Sequence, residues 1–156
     1  MRYMNKRFTD FYMDIAKRTA LLSRARRLQV GAIIVKDDSI ISYGYNGMPA
    51  GWDNNCEYEE EIMVSEYGKG SWMEKTGNLK TRPEVMHAER NSLDKLAKGG
   101  QGGDGATIFI THSPCLECAK SIYGAGIKKV FYNIDYKSDD GVNFLKSCNV
   151  EIEKII

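Results

Sequence analysis

The run "RFTDFYMDIAKRTALL", residues 7–22, places apolar side chains at Phe8, Phe11, Tyr12, Ile15, Ala16 and Leu22. That spacing follows the helical period, so the chain is expected to open with an amphipathic helix. "VGAIIVKDDSIISYGY" (30–45) then gives two β-rich runs around Asp37-Asp38, the signal of a hairpin. From 46 to 82 the pattern dissolves into Gly, Asn and charge. This stretch is expected to be irregular, with room for a short helix around "EYEEEIMVSEY" (57–67). "VMHAERNSLDKLAK" (85–98) reads as a helix closed by Gly99-Gly100, and "GGQGGDG" (99–105) as a flexible loop. "ATIFITH" (106–112) is a strand, and "CLECAKSIYGAG" (115–126) a helix with Pro114 at its entrance. "KKVFYNI", "DDGVNFLKS" and "NVEIEKII" add a strand, a helix and a last strand. The order α-β-β-α-β-α-β-α-β predicts a mixed sheet with helices packed on its faces. No linker or internal repeat divides the chain, so a single domain over 1–156 is expected.

Composition narrows the function classes. The 156 residues are about one domain's length, and 42% hydrophobic content is enough for a sizeable core. No run approaches the ~18 apolar residues of a membrane span. The first residues, "MRYMNKRFTDFYMDIAKR", lack the apolar core of a signal peptide. A soluble, cytoplasmic protein with no membrane partner is expected. The 22 Lys and Arg are balanced by 21 Asp and Glu. A protein gripping a long polyanion usually has a basic face, so no nucleic-acid partner is expected; a small phosphorylated substrate stays open.

The four cysteines are Cys56, Cys115, Cys118 and Cys148. A disulfide framework is not expected in a cytosolic chain of this length. Cys148 reads as a small buried hydrophobe, while Cys56, in a polar loop, reads either way. Cys115 and Cys118 lie three apart at a helix start, so both point to one side of its first turn. The helix N-terminus favours the thiolate, the form that binds metal. His87 supplies a third donor, and a catalytic zinc takes three protein ligands and keeps one position for water. Glu89 is poorly placed as a fourth ligand and well placed to move protons beside the metal. Taken alone, His87 is an ordinary histidine, and "CLEC" a structural half-site or a redox pair. Together, His-x-Glu followed by Pro-Cys-x-x-Cys is the pattern of zinc nucleobase deaminases.

Beyond that motif, "VGAIIV" (30–35), "IISYGYNGMPAG" (40–51), "RPEVMHAERN" (82–91), "THSPCLECAKSI" (111–122), "AGIKKVFY" (125–132) and Tyr136 make the chain resemble the deoxycytidylate (dCMP) deaminase family of the cytidine deaminase-like superfamily. The resemblance runs from Phe8 to about Ile152 and is close to phage and viral members. It implies a three-layer α/β/α fold with a mixed five-stranded sheet. It implies hydrolysis of dCMP to dUMP and ammonia, feeding thymidylate synthesis, with Glu89 carrying protons from water to ring N3 and to the leaving amine. It places Asn46 and Tyr136 at the substrate; for Asn46 the plain alternative is a turn residue before Gly47. It implies activation by dCTP with Mg²⁺, inhibition by dTTP, and a homo-oligomer, commonly a hexamer. The effector site is expected at Gly44, Tyr45 and Gly47, with Arg24 of "SRARR" beside Arg26 and Arg27; the plain reading is a solvated helix end, where cations are favourable.

Some phage members of the family carry a second zinc, with cysteines at the positions of Ala25 and Asn55. Ala25 cannot ligate, so one zinc per chain is expected. Two other readings stay open: a deaminase acting on tRNA adenosine or single-stranded DNA, and a non-catalytic zinc-stabilised binding module, which would have no use for Glu89.

Overall fold

The computed structural model describes residues 4–156. Helix α1 (Lys6–Ala20) starts where the Asn5 side chain accepts the Phe8 N–H and ends with Lys17 and Arg18 in its last turn, a favourable end for cations. Its buried stripe is Thr9, Tyr12, Met13, Ala16 and Thr19–Ala20. Strands β1 (Gly31–Lys36) and β2 (Ser39–Tyr45) form the expected hairpin. Asp37 and Asp38 turn it with φ of 51° and 60°, the left-handed pair that a two-residue hairpin turn requires.

Strands β5 (Thr107–His112), β6 (Lys129–Ile134) and β7 (Glu151–Lys154) complete the main sheet, in the order β2-β1-β5-β6-β7. β1 is antiparallel to β2 and β5, whereas β5, β6 and β7 are parallel. The sheet is therefore mixed and five-stranded, as expected.

Successive strand residues point to opposite faces, and both faces are covered. Ile33, Val35, Phe109 and Phe131 pack with Tyr12, Met13 and Ala16 of α1. Ala32, Ile34, Ile108, Ile110 and Val130 pack on the other side, against Leu93 and Leu96, Ala119 and Ile122, and Leu145. Those side chains belong to α2 (Ala88–Lys98), α3 (Leu116–Gly124) and α4 (Asp140–Ser147) respectively. Helix–sheet–helix layering follows. Each fully buried Ile or Phe contributes roughly 1.5–3 kcal/mol relative to exposure. Cys148, at the end of α4, packs partly buried against the second cluster, in keeping with the hydrophobe reading.

The expectation for 46–82 is corrected. Residues 57–81 form a long two-stranded hairpin, β3 (Glu57–Glu66) and β4 (Gly70–Thr81), outside the main sheet; no helix forms around Ile62. Cross-strand pairs hold it: Glu61 opposite Lys75, Met63 opposite Met73, Val64 opposite Trp72, the kind of pairing that stabilises antiparallel strands. Gly68 and Gly70, with φ of 81° and 84°, make the reversal. Apolar groups lie on both faces of the ribbon and stay largely exposed, among them Ile62, Met63 and Met73. The sequence therefore lacks the one-sided alternation that marks a half-buried strand. No helix among the described residues is long and apolar enough to cross a membrane.

Candidate active site

Two chain segments meet at the carboxyl end of β5. The first enters α2. Met86 and Gly47 exchange backbone hydrogen bonds of 2.8 and 3.1 Å, which hold residues before Ala88 extended. His87 is therefore the N-cap of α2, with φ −72° and ψ 153°, not a residue of the helix body. The sequence pattern starts this helix at Val85 and is corrected there. Gly44 lets β2 approach α2: a Cβ on it would stand 2.4 Å from the Ala88 carbonyl oxygen.

The second segment leaves β5 through Ser113 and Pro114 into α3. Ser113 is pinned to the end of β6, its N–H donating to the Ile134 carbonyl at 2.9 Å and its Oγ accepting the Tyr136 N–H at 2.8 Å. Cys115 is the N-cap, so Pro114 precedes the helix and does not lie in its first turn. The Cys118 N–H donates to Cys115 Sγ at 3.4 Å, an N-cap bond to the third helical residue made with sulfur.

These segments bring three donors together. His87 Nδ1 lies 3.3 Å from Cys118 Sγ and 3.6 Å from Cys115 Sγ, and all three atoms fall within 4.8 Å of one another. Zinc bonds of about 2.3 Å to sulfur and about 2.0 Å to nitrogen, at tetrahedral angles, separate nitrogen from sulfur by about 3.5 Å. The donor set fits zinc. Cys118 is buried, Cys115 half-buried and His87 exposed, so the trio is open on one side, as a catalytic site requires. Among the described residues this is the one group with metal-holding geometry.

The protein groups tune one another. Hydrogen bonds from Cys118 and then His87 pull the Cys115 thiol down to about 4. Cys118 is pushed far up, first by its hydrogen bond to Cys115 and then by burial. The Cys115 bond raises His87 against the opposing effect of burial. Glu89 is 4% exposed, and burial raises its carboxyl above the usual range, opposed by hydrogen bonds from its own backbone and from Cys118.

A cavity of about 490 Å³ opens over this constellation, lined by His87, Glu89, Cys115, Asn46 and Tyr136 among others. The structure thus brings together every expected metal, catalytic and substrate-side residue. Asn46, however, also works as a strut: its Nδ2 donates to the Leu28 carbonyl and its Oδ1 accepts the Val30 N–H, each at 2.8 Å. One N–H and one lone pair of the amide remain. The cavity also takes Arg27, Glu57, Thr81, His112 and Lys137, which the sequence pattern does not assign to the substrate side. Glu57 and Thr81 carry no signal there because the hairpin that delivers them is not foreseen by local pattern. His112, next to the visible "SPC", and Ser113, its first residue, were within reach of the motif.

A second cavity, of about 530 Å³, adjoins Asn46 on another side and is lined by Arg24, Tyr45, Gly47, Met48 and Lys95. Of the residues expected to hold an effector, Arg24, Tyr45 and Gly47 meet here; Gly44 faces the α2 backbone and does not line it. Cys56, which is buried, lines this second cavity.

A mixed five-stranded sheet with a His-Cys-Cys trio and a buried glutamate at the carboxyl end of its central strand defines a zinc-dependent deaminase. A family model described as the cytidine and deoxycytidylate deaminase zinc-binding region matches residues 6–134, and the chain belongs to that family. Among solved structures it is similar to the dCMP deaminase from the cyanophage S-TIM5, crystallised in complex with dCMP and dUMP. That match has 38% identity and a TM-score of 0.82, covering 98% of this chain and 100% of that one. It is 37% identical to ComE operon protein 2 of Bacillus subtilis, over 95% of this chain and 71% of the relative. It is 30% identical to the deoxycytidylate deaminase of Enterobacteria phage T4, over 90% of this chain and 86% of the relative.

Proposed function

We propose that this chain, as a single deaminase domain over 1–156, hydrolyses dCMP to dUMP and ammonia in the cytoplasm. The observation that carries the reading is Glu89, buried at the head of α2 and lining the same cavity as His87 and Cys115. A binding module would have no use for a buried carboxylate there. The relative solved with dCMP and dUMP supports the choice of substrate.

His87, Cys115 and Cys118 hold one zinc per chain. When bound, zinc supplies Lewis acidity that lowers the pKa of a coordinated water to about 7. Glu89 moves the protons. Its carboxylate accepts one from the attacking water and delivers it to ring N3, then takes the second from the new C4 hydroxyl and passes it to the amine at N4, so that ammonia leaves as the C4–N4 bond breaks and the C4 carbonyl forms. Burial suits this role, because it brings the carboxyl's proton affinity nearer to neutral pH. Asn46 and Tyr136 orient the nucleotide from the cavity wall.

Regulation is part of the proposal. dCTP with Mg²⁺ activates and dTTP inhibits at the second cavity, in a homo-oligomer of the hexameric type. In support, Arg24 and Lys95 line that cavity, and cationic side chains are what a triphosphate needs. Asn46 lines both cavities and provides a link between them.

The test is ammonia release from dCMP, CMP, dCTP and deoxycytidine by zinc-loaded protein, each with and without dCTP and dTTP. dCMP should be the preferred substrate. Turnover of a cytosine-containing oligonucleotide in preference to dCMP would overturn the reading.

A further inference from the structure

Thr111 and His112 close β5, the central strand of the main sheet, and neither belongs to the metal trio or the proton path. The backbone of His112 is set by its parallel pairing with Ile134 of β6. Its ring is set by Thr111, whose Oγ1 lies 2.9 Å from His112 Nδ1. His112 is half-buried and lines the first cavity with Asn46, Glu89 and Tyr136.

The hydrogen bonding of this pair fixes where the imidazole carries its proton. Thr111 is 4% exposed, and a hydroxyl has one hydrogen to donate and lone pairs to accept with. Its Oγ1 accepts the Gly31 N–H at 3.1 Å. Among the described residues, the Thr111 hydroxyl meets no acceptor other than His112 Nδ1. A buried hydroxyl without an acceptor is costly, so Thr111 donates and Nδ1 carries the lone pair. The proton of the neutral ring then sits on Nε2. A doubly protonated ring would set an Nδ1–H against the Thr111 hydroxyl, and burial also holds the proton affinity of His112 below the ordinary histidine range. The Nε2–H meets no protein acceptor among the described residues, which leaves an oriented, uncharged donor at the cavity wall. An anionic group is held more strongly by charged donors; an uncharged one suits a neutral oxygen. dCMP carries such oxygens on its nucleoside half, O2 of the ring and O3′ of the sugar.

We propose that His112 is a further substrate-binding residue, donating its Nε2–H to a neutral oxygen of the nucleoside half of the nucleotide, the ring O2 or the sugar O3′. The inference rests on the deaminase reading and deepens it, with Thr111 as the positioning residue that fixes the ring and its tautomer.

The protein has two histidines, so ring-nitrogen NMR spectra of histidine-labelled, zinc-loaded protein can follow both, and His112→Phe identifies the His112 signals by their loss. His112 should be protonated at Nε2 and bare at Nδ1 at neutral pH, and its Nε2–H signal should shift when dUMP or deoxyuridine saturates the site. In kinetics, His112→Phe keeps a ring of similar bulk and removes the donor. It should lower kcat/KM for dCMP and for deoxycytidine by the same factor, about 3- to 10-fold, mainly through KM, as for loss of one neutral hydrogen bond. His112→Gln, whose amide can donate, should recover part of the loss. The monophosphate of 2′,3′-dideoxycytidine separates the two oxygens: if it is insensitive to His112→Phe the contact is O3′, and if its loss is undiminished the contact is O2. An Nε2–H signal unmoved by saturating dUMP, a ring protonated on Nδ1, or an unchanged kcat/KM for dCMP in His112→Phe would overturn the assignment. Wild-type protein that releases no ammonia from dCMP would sink the deaminase reading instead, and the spectra with dUMP would still decide His112.

Discussion

Gly141, in the first turn of α4, stands against the carbonyl of Pro114: a Cβ on Gly141 would lie 2.1 Å from that oxygen and 2.8 Å from the oxygen of Cys115. Both contacts are backbone, so neither can rotate away. The helix α4 thus presses on the turn that aims Cys115 at His87. Gly141→Ala should cost about 1–3 kcal/mol, the usual range for overpacking, and should weaken zinc binding by displacing the cysteine turn. Thermal unfolding and metal content would show it; an unchanged Tm with full zinc would mean the helix shifts freely.

Glu89→Gln should keep zinc and lose turnover by about 10²–10⁴-fold or more, since general acid–base help is worth that much and Glu89 serves several proton steps. The same variant bears on stability. Burial raises the folded-state pKa of Glu89, so the native state binds the proton more tightly than the unfolded chain. That contribution is fully present below the ordinary carboxylate pKa and is lost as pH rises through the raised value. Glutamine has no such loss. In metal-free protein, Glu89→Gln should therefore gain in Tm over wild type as pH is raised above the carboxylate range. A Tm difference independent of pH would argue against a buried ionisation.

His87→Ala, Cys115→Ser and Cys118→Ser should each lose zinc, whereas Cys56→Ser and Cys148→Ser should retain it, by metal analysis of purified protein. Two zincs in wild type, one of them lost in Cys56→Ser, would reveal a second site.

With its pKa drawn down to about 4, Cys115 of metal-stripped protein should react with iodoacetamide with a midpoint near that pH. Cys118, pushed the other way, should stay unmodified through neutrality. Zinc should protect both. Alkylation of Cys115 rising only above about pH 8, the range of an ordinary free thiol, would contradict the hydrogen bonding described.

Arg24→Ala should blunt the responses to both dCTP and dTTP and leave zinc content unchanged, because Arg24 lines the second cavity and not the first. A ligand shifts an equilibrium only by its differential affinity for two states. Turnover of subsaturating dCMP that is the same with dCTP, with dTTP and with neither, at millimolar Mg²⁺, would show a deaminase without this regulation.

Local pattern in the sequence was enough for much of this. The helical spacing of Tyr12, Met13 and Ala16, the β-branched runs of β1 and β5, and the spacings of His87–Glu89 and Cys115–Cys118 are properties of neighbouring residues. They predicted the five-stranded sheet, its helices and the zinc chemistry without reference to distant contacts. What tertiary structure alone decided depends on partners remote in the chain. Glu57 and Thr81 face each other only because β3 pairs with β4, and two exposed strands with apolar groups on both faces carry no period that separates them from loop or helix. His87 leaves the helix for its N-cap because Met86 is bridged to Gly47. The side chain of Asn46 closes on Leu28 and Val30, and "SRARR" divides its arginines between two cavities. Loop side chains have no repeat to set their direction; the backbone hydrogen bonds and buried carboxylate that fold the loop set it instead.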